Sequence, residues 1–506
     1  MAVARDSQLL VAEEAWDMNP AAIVNSVKTC ITKRQEWVDS ADGSSRLNAD
    51  EVIVAILKEL ALRARAERLP IADPNVTRLG CPAMWDAPQR ERLRGLAERA
   101  GFAVGPATLI DEPIAAGLTW IENQSRLGRY LEDARVLVFD MGGGTLDVAL
   151  LDVTSGPRQE PAIYVMASEG VDEAGDTLDE AIVSEFEEIL GARGVSLDDL
   201  PDPRLARAYL RRAATEAKLA LTDSRDTEVV VGYGGGTIPP MHYSAEQLEE
   251  ALRPQLDRAW DLILSTLRAS YLTRDRGAVP SKLRKMTDEE LTKPITHVLL
   301  AGGMSLIPAV GRYLAKRFPN AKLREMPRNT AQEAICTGLA ENESYAQVNL
   351  NRPAFNFVID FERDGARDSV TLYEAYTRFY APNQAFVTDR LEYRWSDGAT
   401  ASRPGTHRLL PSRGQGSLAV YALDGSLVPL RLDGQSYDSM RVAFGHRDTS
   451  FSLSPGGDLT IFDGSGRFQT LRIARWPALS TGFEGLAVPI EEATWVPERR
   501  RSWDSK

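Results

Sequence analysis

Three consecutive glycines held between two apolar runs constrain this chain more than any other feature. In RVLVFDMGGGTLDVALLDV, Arg135 to Val153, a strand pattern ends at Asp140. Gly142, Gly143 and Gly144 follow, then Thr145, Asp147 and a second apolar run. The order is strand, turn, strand. No Gly-Lys-Ser/Thr follows the glycines and no helix opens after them, which excludes a Walker A loop and a dinucleotide fingerprint. Glycine lets other groups approach the backbone closely and reaches φ > 0 freely, so successive amides can form an anion-binding nest. Asp140 and Asp147 flank that nest. A carboxylate beside a polyphosphate is repulsive unless a divalent cation such as Mg²⁺ bridges the two. Thr145 offers a hydroxyl to a phosphate or a water. Taken alone, the segment reads equally well as an ordinary glycine-rich turn.

A second run, GYGGGTIPP, Gly232 to Pro240, serves as a control. It has no aspartate before the glycines, and Pro239-Pro240 stand where a second strand would pair. It reads as a loop without chemistry, so the flanking acids carry the signal in the first segment.

The chain has 506 residues, room for about three to four domain equivalents. Its 59 Lys+Arg against 72 Asp+Glu give a net charge of -13, which argues against a dedicated nucleic-acid binder. Cys30, Cys81 and Cys336 form no CxxC or CxxH spacing, and His242, His297, His407 and His446 are scattered, so neither a zinc site nor a histidine-based centre is expected. The N-terminal stretch carries acids where a signal peptide needs an apolar run, and no run of about 18 apolar residues exists. No membrane span is expected, and the chain reads as cytoplasmic.

Up to about residue 345, helical periodicity alternates with short apolar runs. Helices are expected over Ala49 to Leu69, over DEAGDTLDEAIVSEFEEIL with Leu178, Ile182, Phe186 and Ile189 on one face, and over RLARAYLRRAATEAKLALT and SAEQLEEALRPQLDRAWDLILSTLRASY. RVLVFD, TEVVVGY (Thr227 to Tyr233) and HVLLAGG (His297 to Gly303) read as strands, which makes this part α/β. Beyond it, period-two runs broken at Asp424-Gly425, Asp433-Gly434, Pro455-Gly456-Gly457 and Asp463-Gly464 read as hairpins of an antiparallel β domain. The aromatics of LYEAYTRFYAP, Leu372 to Pro382, fit a core better than a groove.

LIDEPIAAGLTW, Leu109 to Trp120, followed by the glycine hairpin, closely resembles the 70-kDa heat-shock chaperone family of the actin-like ATPases. NPAAIVNSVKTCITKR, CPAMWDAPQRERLRGLAERAGF, AGDTLDEAIVSEF, TEAKLALT, HVLLAGGMSLIPAVGRYLAKRF and NTAQEAICTGLA match further family blocks in the same order. The resemblance implies an actin-like (ribonuclease H-like) ATPase domain over 1–345, with an upper second lobe at about 175–290. A linker at 346–356, an antiparallel β domain at 357–495 and a tail at 496–506 would follow. It implies ATP and Mg²⁺ as cofactors. Gly142, Gly143, Gly144 and Thr145 would contact the phosphates, and Asp140 and Asp147 would hold Mg²⁺ through water. Glu112 would position the attacking water, and Lys28 would stabilise charge on the transferred phosphoryl group. Gly302 and Gly303 would admit the nucleoside, and Lys218 would face ribose and adenine. Pro82, Arg90 and Glu112 resemble a relay that reports nucleotide state to the next domain.

Departures accompany the match. The family's first phosphate hairpin has no counterpart here: Leu9-Leu10-Val11 already resembles the strand before the Lys28 segment. Two explanations compete, a degenerate ATPase and a start at an internal methionine, and the second is favoured. Leu219 and Leu306 stand where the family places arginines against adenine, and Thr215 replaces a glutamate. Only about ten residues follow Trp495, so no helical lid is expected. The reading is an ATP-binding, chaperone-like protein that couples nucleotide state to a β-rich client or partner domain, with weak or absent hydrolysis. The alternative is a catalytically dead scaffold that kept the fold.

Overall fold

The computed structural model describes residues 2–3, 9–10 and most of 24–498. Residues 11–23, 380–392, 397–409, 477–486, 499–506 and shorter stretches between lie outside the described residues. Val11, Gly235 to Thr237, the Asp463-Gly464 turn, the end of the LYEAYTRFYAP segment and the basic tail fall there.

The glycine hairpin lies in a six-stranded mixed sheet. Its order is Lys322–Glu325, His297–Ala301, Ala134–Met141, Leu146–Gly156, Gln159–Val171 and Tyr345–Gln347. The first three strands are parallel, the hairpin strands are antiparallel, and Tyr345–Gln347 joins the far edge parallel to Ile163–Val165. All eight residues of Ala134–Met141 are buried, as a strand covered on both faces requires. On one face pack the helices Gly175–Ala192, Pro203–Ala220 and Ala245–Arg274; on the other packs Glu112–Arg126, with Ala334–Ala340 against it. Each large side chain removed from water here, such as Phe139 or Phe186, contributes about 1.5–3 kcal/mol.

The periodicity locates these helices well. The Gly175–Ala192 helix buries Leu178, Ile182, Phe186 and Leu190, a strict i, i+4 row; Ile189, expected on that face, is only partly buried beside it. TEVVVGY is shorter than its composition suggests: the strand covers Asp226–Val229 and pairs with Met241–Ser244, and Val230 is exposed. A smaller lobe ahead of the sheet holds the parallel pair Leu79–Cys81 and Leu109–Asp111, covered by Val27–Thr32, Ala49–Ala66 and Ala87–Ala100 around Trp85.

From Asn356 onward the described residues form strands in two sheets around one apolar core that includes Phe357, Tyr373, Phe451 and Trp476. The turns match their chemistry. Asp433 (φ +50°) and Gly434 (φ +76°) close the hairpin between Leu430–Leu432 and Gln435–Tyr437, and Gly457 (φ +86°) closes the next. The region is not wholly antiparallel, because Leu430 and Arg431 run parallel to Val488 and Pro489. Among the described residues no helix is long and apolar enough to cross a membrane.

Candidate functional site

The parallel pairing of His297–Ala301 with Ala134–Met141 sets Ala301 opposite Asp140. Both strands end together, and their turns share one space. Gly302 has φ +78°, and a Cβ there would lie 2.4 Å from the Met141 carbonyl oxygen and 2.6 Å from Asp140 Oδ1, so only glycine fits. Gly175, at the start of its helix, also lies close to the bend: a Cβ would sit 3.3 Å from the Gly142 oxygen and the Gly143 Cα. The amides of Gly175 and Asp176 donate to the carbonyls of Gly142 and Gly143.

A cavity of about 400 Å³ opens above these ends. It is lined by Lys28, Glu112, Asp140, Gly142, Gly143, Thr145, Lys218, Gly302 and Gly303, with Gly175, Thr215, Leu219, Thr222, Met304, Ile307 and Ile335 completing the wall. Residues spread from 28 to 335 therefore converge. Two sequence candidates stand apart from the lining: Gly144 at the tip of the bend, and Asp147 beneath it. The Gly142 amide closes the turn on the Thr145 carbonyl at 3.0 Å. The amides of Gly143 and Gly144 make no hydrogen bond among the described residues, so these two are the donors open to an anion.

The carboxylates are buried together. Asp140 is 3% and Asp147 1% exposed. Burial, then the nearby Glu112 carboxylate, pushes the Asp140 pKa up to about 7, with Lys28 acting in the opposite sense. Asp147 is raised well above the carboxylate range by burial, Glu112 and Asp140, although it accepts from the Ala83 amide at 2.7 Å. Asp140 Oδ1 is buried with no hydrogen-bond partner among the described residues. A buried polar atom left unsatisfied is costly, and Asp140 lines the same cavity as Gly143. Lys28 Nζ donates to both oxygens of Glu112, at 2.9 and 2.8 Å. Burial opposes the lysine's charge, but Glu112, with Asp147 and Asp140 behind it, raises its pKa above the ordinary value.

A divalent cation suits this donor set. The orphaned Asp140 oxygen and the mutual repulsion of the acids are both relieved by positive charge. Among the described residues no three metal-ligating side chains gather tightly enough to chelate an ion. An ion held here would be one that keeps several waters and touches few carboxylates, as Mg²⁺ does.

The Lys218 side of the cavity departs from simple expectation. Lys218 does not reach free into the space. Its Nζ pairs with Asp179 at 2.6 Å and donates to the Gly175 carbonyl at 3.3 Å, and Thr215 donates to the other Asp179 oxygen at 3.0 Å. Asp179 was not legible as a partner, although its spacing of four from Gly175 puts it one turn into the helix that meets the bend. Leu219 lines the cavity while 59% exposed. Leu306 turns away and packs against the apolar cluster beneath the Glu112–Arg126 helix, leaving Met304 and Ile307 as the lining.

Pro82 and Arg90 sit behind Asp147. Arg90, 1% exposed, donates to Asp111 (2.7 Å), the Trp85 carbonyl (2.9 Å) and Cys81 Sγ (3.1 Å), and its guanidinium lies 3.9 Å from the centroid of the Tyr376 ring. Tyr376 belongs to the strand-rich region. Beside it Arg352, 2% exposed, donates to the carbonyls of Ala83, Met84 (3.0 Å), Trp85 (2.8 Å) and Tyr376 (3.2 Å). Burial and the neighbouring Arg378 lower the Arg352 pKa to about 10 against the opposing pull of Glu169. Arg378 holds Glu169 at 3.1 Å and the Gly170 carbonyl at 3.2 Å. Asp147 and Arg352 thus grip opposite sides of one peptide residue, Ala83.

Comparison with known proteins agrees with this geometry. The family model described as Hsp70 protein matches residues 13–342. The protein named chaperone protein DnaK in Thermosipho melanesiensis is 27% identical over 360 residues, covering 69% of this chain and 54% of that protein. The DnaK proteins of Thermosipho africanus and Thermotoga maritima are 27% identical over 350 residues, covering 67% of this chain and 52% of each. The chain spans about half the length of the curated relatives it matches. With the family model covering well over half of its residues, the chain belongs to the Hsp70 family.

Proposed function

We propose that this chain binds ATP with Mg²⁺ in the cavity above the glycine bend and passes nucleotide state to its strand-rich region, acting as a chaperone-like protein. The observation that carries the reading is the buried, unpartnered Asp140 Oδ1 beside the open Gly143 and Gly144 amides. Those amides receive phosphate oxygens. Asp140 and Asp147 orient the waters of Mg²⁺, which, when bound, neutralises phosphate charge. Lys28 and Glu112 face the same space. Each must exchange its partner for phosphate or water, and with Lys28 44% exposed that exchange costs about 1 kcal/mol or less.

Turnover is slow in this reading, because the bend offers only two open amides among the described residues. Adenine selectivity is weak, because Lys218 is committed to Asp179 and leucine replaces a stacking cation at 219. The same observations favour a second reading, a scaffold that binds partners without turnover. Either way, the Asp147–Ala83–Arg352 chain of hydrogen bonds gives a physical path from the cavity to the strand-rich region, whose client or partner protein is of unspecified class.

Isothermal titration with ATP and Mg²⁺ tests the first reading. Saturable binding that Asp140→Asn weakens supports it. No heat with either protein refutes it. Binding without phosphate release above background selects the scaffold.

A further inference from the structure

The strands that carry Asp140 and Gly302 at one end frame a second concavity at the other. It encloses about 820 Å³, within the size range of small-molecule sites. His297 opens its strand in register with Val136 on one side and Lys322 on the other. In the edge strand Lys322–Glu325, Leu323 packs into the helical core, so the pleat sets Lys322 and Arg324 together on the opposite face. Arg129 enters from the turn after the Glu112–Arg126 helix, and Lys293 from the turn before His297.

Four full cations therefore line this space, with Glu132 as the sole carboxylate among the described lining residues. Several arginines elsewhere on the surface are paired, as in Arg63–Glu59, Arg207–Glu187 and Arg312–Glu249. Arg129, Lys293, Lys322 and Arg324 make no ion pair among the described residues. In a chain of net charge -13, an unpaired concave group of cations is a local field, and a concave wall focuses it. His297 reports that field: burial first, then Lys322 and Arg324, lowers its pKa. Its ring is held against Trp120, centroids 5.3 Å apart, with Nδ1 3.0 Å from the Thr296 hydroxyl. Asn320, Gln124 and Tyr130 add neutral hydrogen-bonding groups to the wall.

Mutual repulsion among such cations is relieved by an anion, and guanidinium and ammonium groups converging on a pocket suit phosphate oxygens. The patch is too small and the chain too acidic for a nucleic acid. We propose that this concavity is a second ligand site, distinct from the glycine-bend cavity, for a small molecule bearing more than one phosphate group. The inference does not depend on nucleotide binding at the first cavity.

Isothermal titration of the full chain with inorganic tripolyphosphate tests it. We expect saturable binding that weakens about tenfold or more in Lys322→Gln/Arg324→Gln, since each charged hydrogen bond lost is worth roughly that factor. Thermal melting should be unchanged, and Arg253→Gln, exposed on the Ala245–Arg274 helix away from both cavities, should bind as the unmodified chain does. Should the double variant melt early, Arg129→Gln/Lys293→Gln gives the same readout from separate turns. Equal binding by the unmodified chain and by both pairs overturns the proposal. So does loss of binding in Lys28→Gln alone, which would place the probe at the glycine bend. Binding of an octaglutamate peptide but not of tripolyphosphate also overturns it, in favour of an acidic protein segment.

Discussion

Replacing Arg352 by methionine tests how the two halves of the molecule are joined. Methionine has similar bulk and no donors. The Trp85 carbonyl keeps its bond from Arg90 Nε, but those of Ala83, Met84 and Tyr376 lose the Arg352 donor inside an interface that excludes water. Each buried carbonyl left unsatisfied costs about 1–3 kcal/mol. Against that, removing a buried guanidinium relieves a desolvation penalty, which returns roughly 1–4 kcal/mol when an apolar side chain fills the space. Glu169 retains Arg378 at 3.1 Å, so it adds little to either side. The balance is a loss of about 3 kcal/mol, on the order of a hundredfold in the docking equilibrium. Hydrogen exchange is the assay, because the Ala83 amide donates to Asp147. Protection at Ala83 should fall in Arg352→Met together with protection around Tyr376. Arg352→Lys, with one charged group and three donors, should recover part of it. If Ala83 stays protected while the strand-rich region loosens, Asp147 does not sense Arg352 and the proposed path is refuted.

Other expectations follow from the same geometry. Gly302→Ala drives a methyl into the Met141 carbonyl and Asp140 at a positive φ, so the urea midpoint should fall by the equivalent of about 2 kcal/mol or more; an unchanged midpoint would mean that the two strand ends are not in contact. Asp179→Ala strands the buried Lys218 ammonium and should cost about 3–5 kcal/mol, whereas Asp179→Ala with Lys218→Met should recover most of it, both read by thermal melting. Without metal, the native chain holds the Asp140 proton up to about pH 7, while an unfolded aspartate loses it near 4. Stability from this group is therefore complete below about pH 4 and is lost as pH rises from 4 to 7. Mg²⁺ should raise the melting temperature more at pH 8 than at pH 5; equal shifts would count against Asp140 as its holder.

The glycine bend was legible because its chemistry is local: three glycines, two acids and a threonine lie within eight residues. The helix faces were legible because burial follows a 3.6-residue period, and the error at Ile189 against Leu190 is only a rotation by one position. Lys28, Glu112 and Gly302 came from resemblance, since nothing in their own neighbourhoods marks them as neighbours of residue 140. Asp179, Arg352 and the contact of Tyr376 with Arg90 escaped notice for a related reason. Arg352 meets Ala83 across 269 positions, and no local pattern encodes such a pairing. Leu306 shows the converse error. Resemblance assigned it a position, but an apolar side chain beside a polar cavity turns toward the core, where water is excluded.

Tyr345–Gln347 lies against the outermost strand of the sheet, at Ile163 to Val165. A sheet rim left bare invites pairing with whatever extended chain arrives first, including a stranger's. Here the molecule covers that rim with its own connecting segment, so the tether that joins the two regions also acts as a guard. A chain cut after residue 342 would bare this rim, and aggregation on concentration is the behaviour to expect of it.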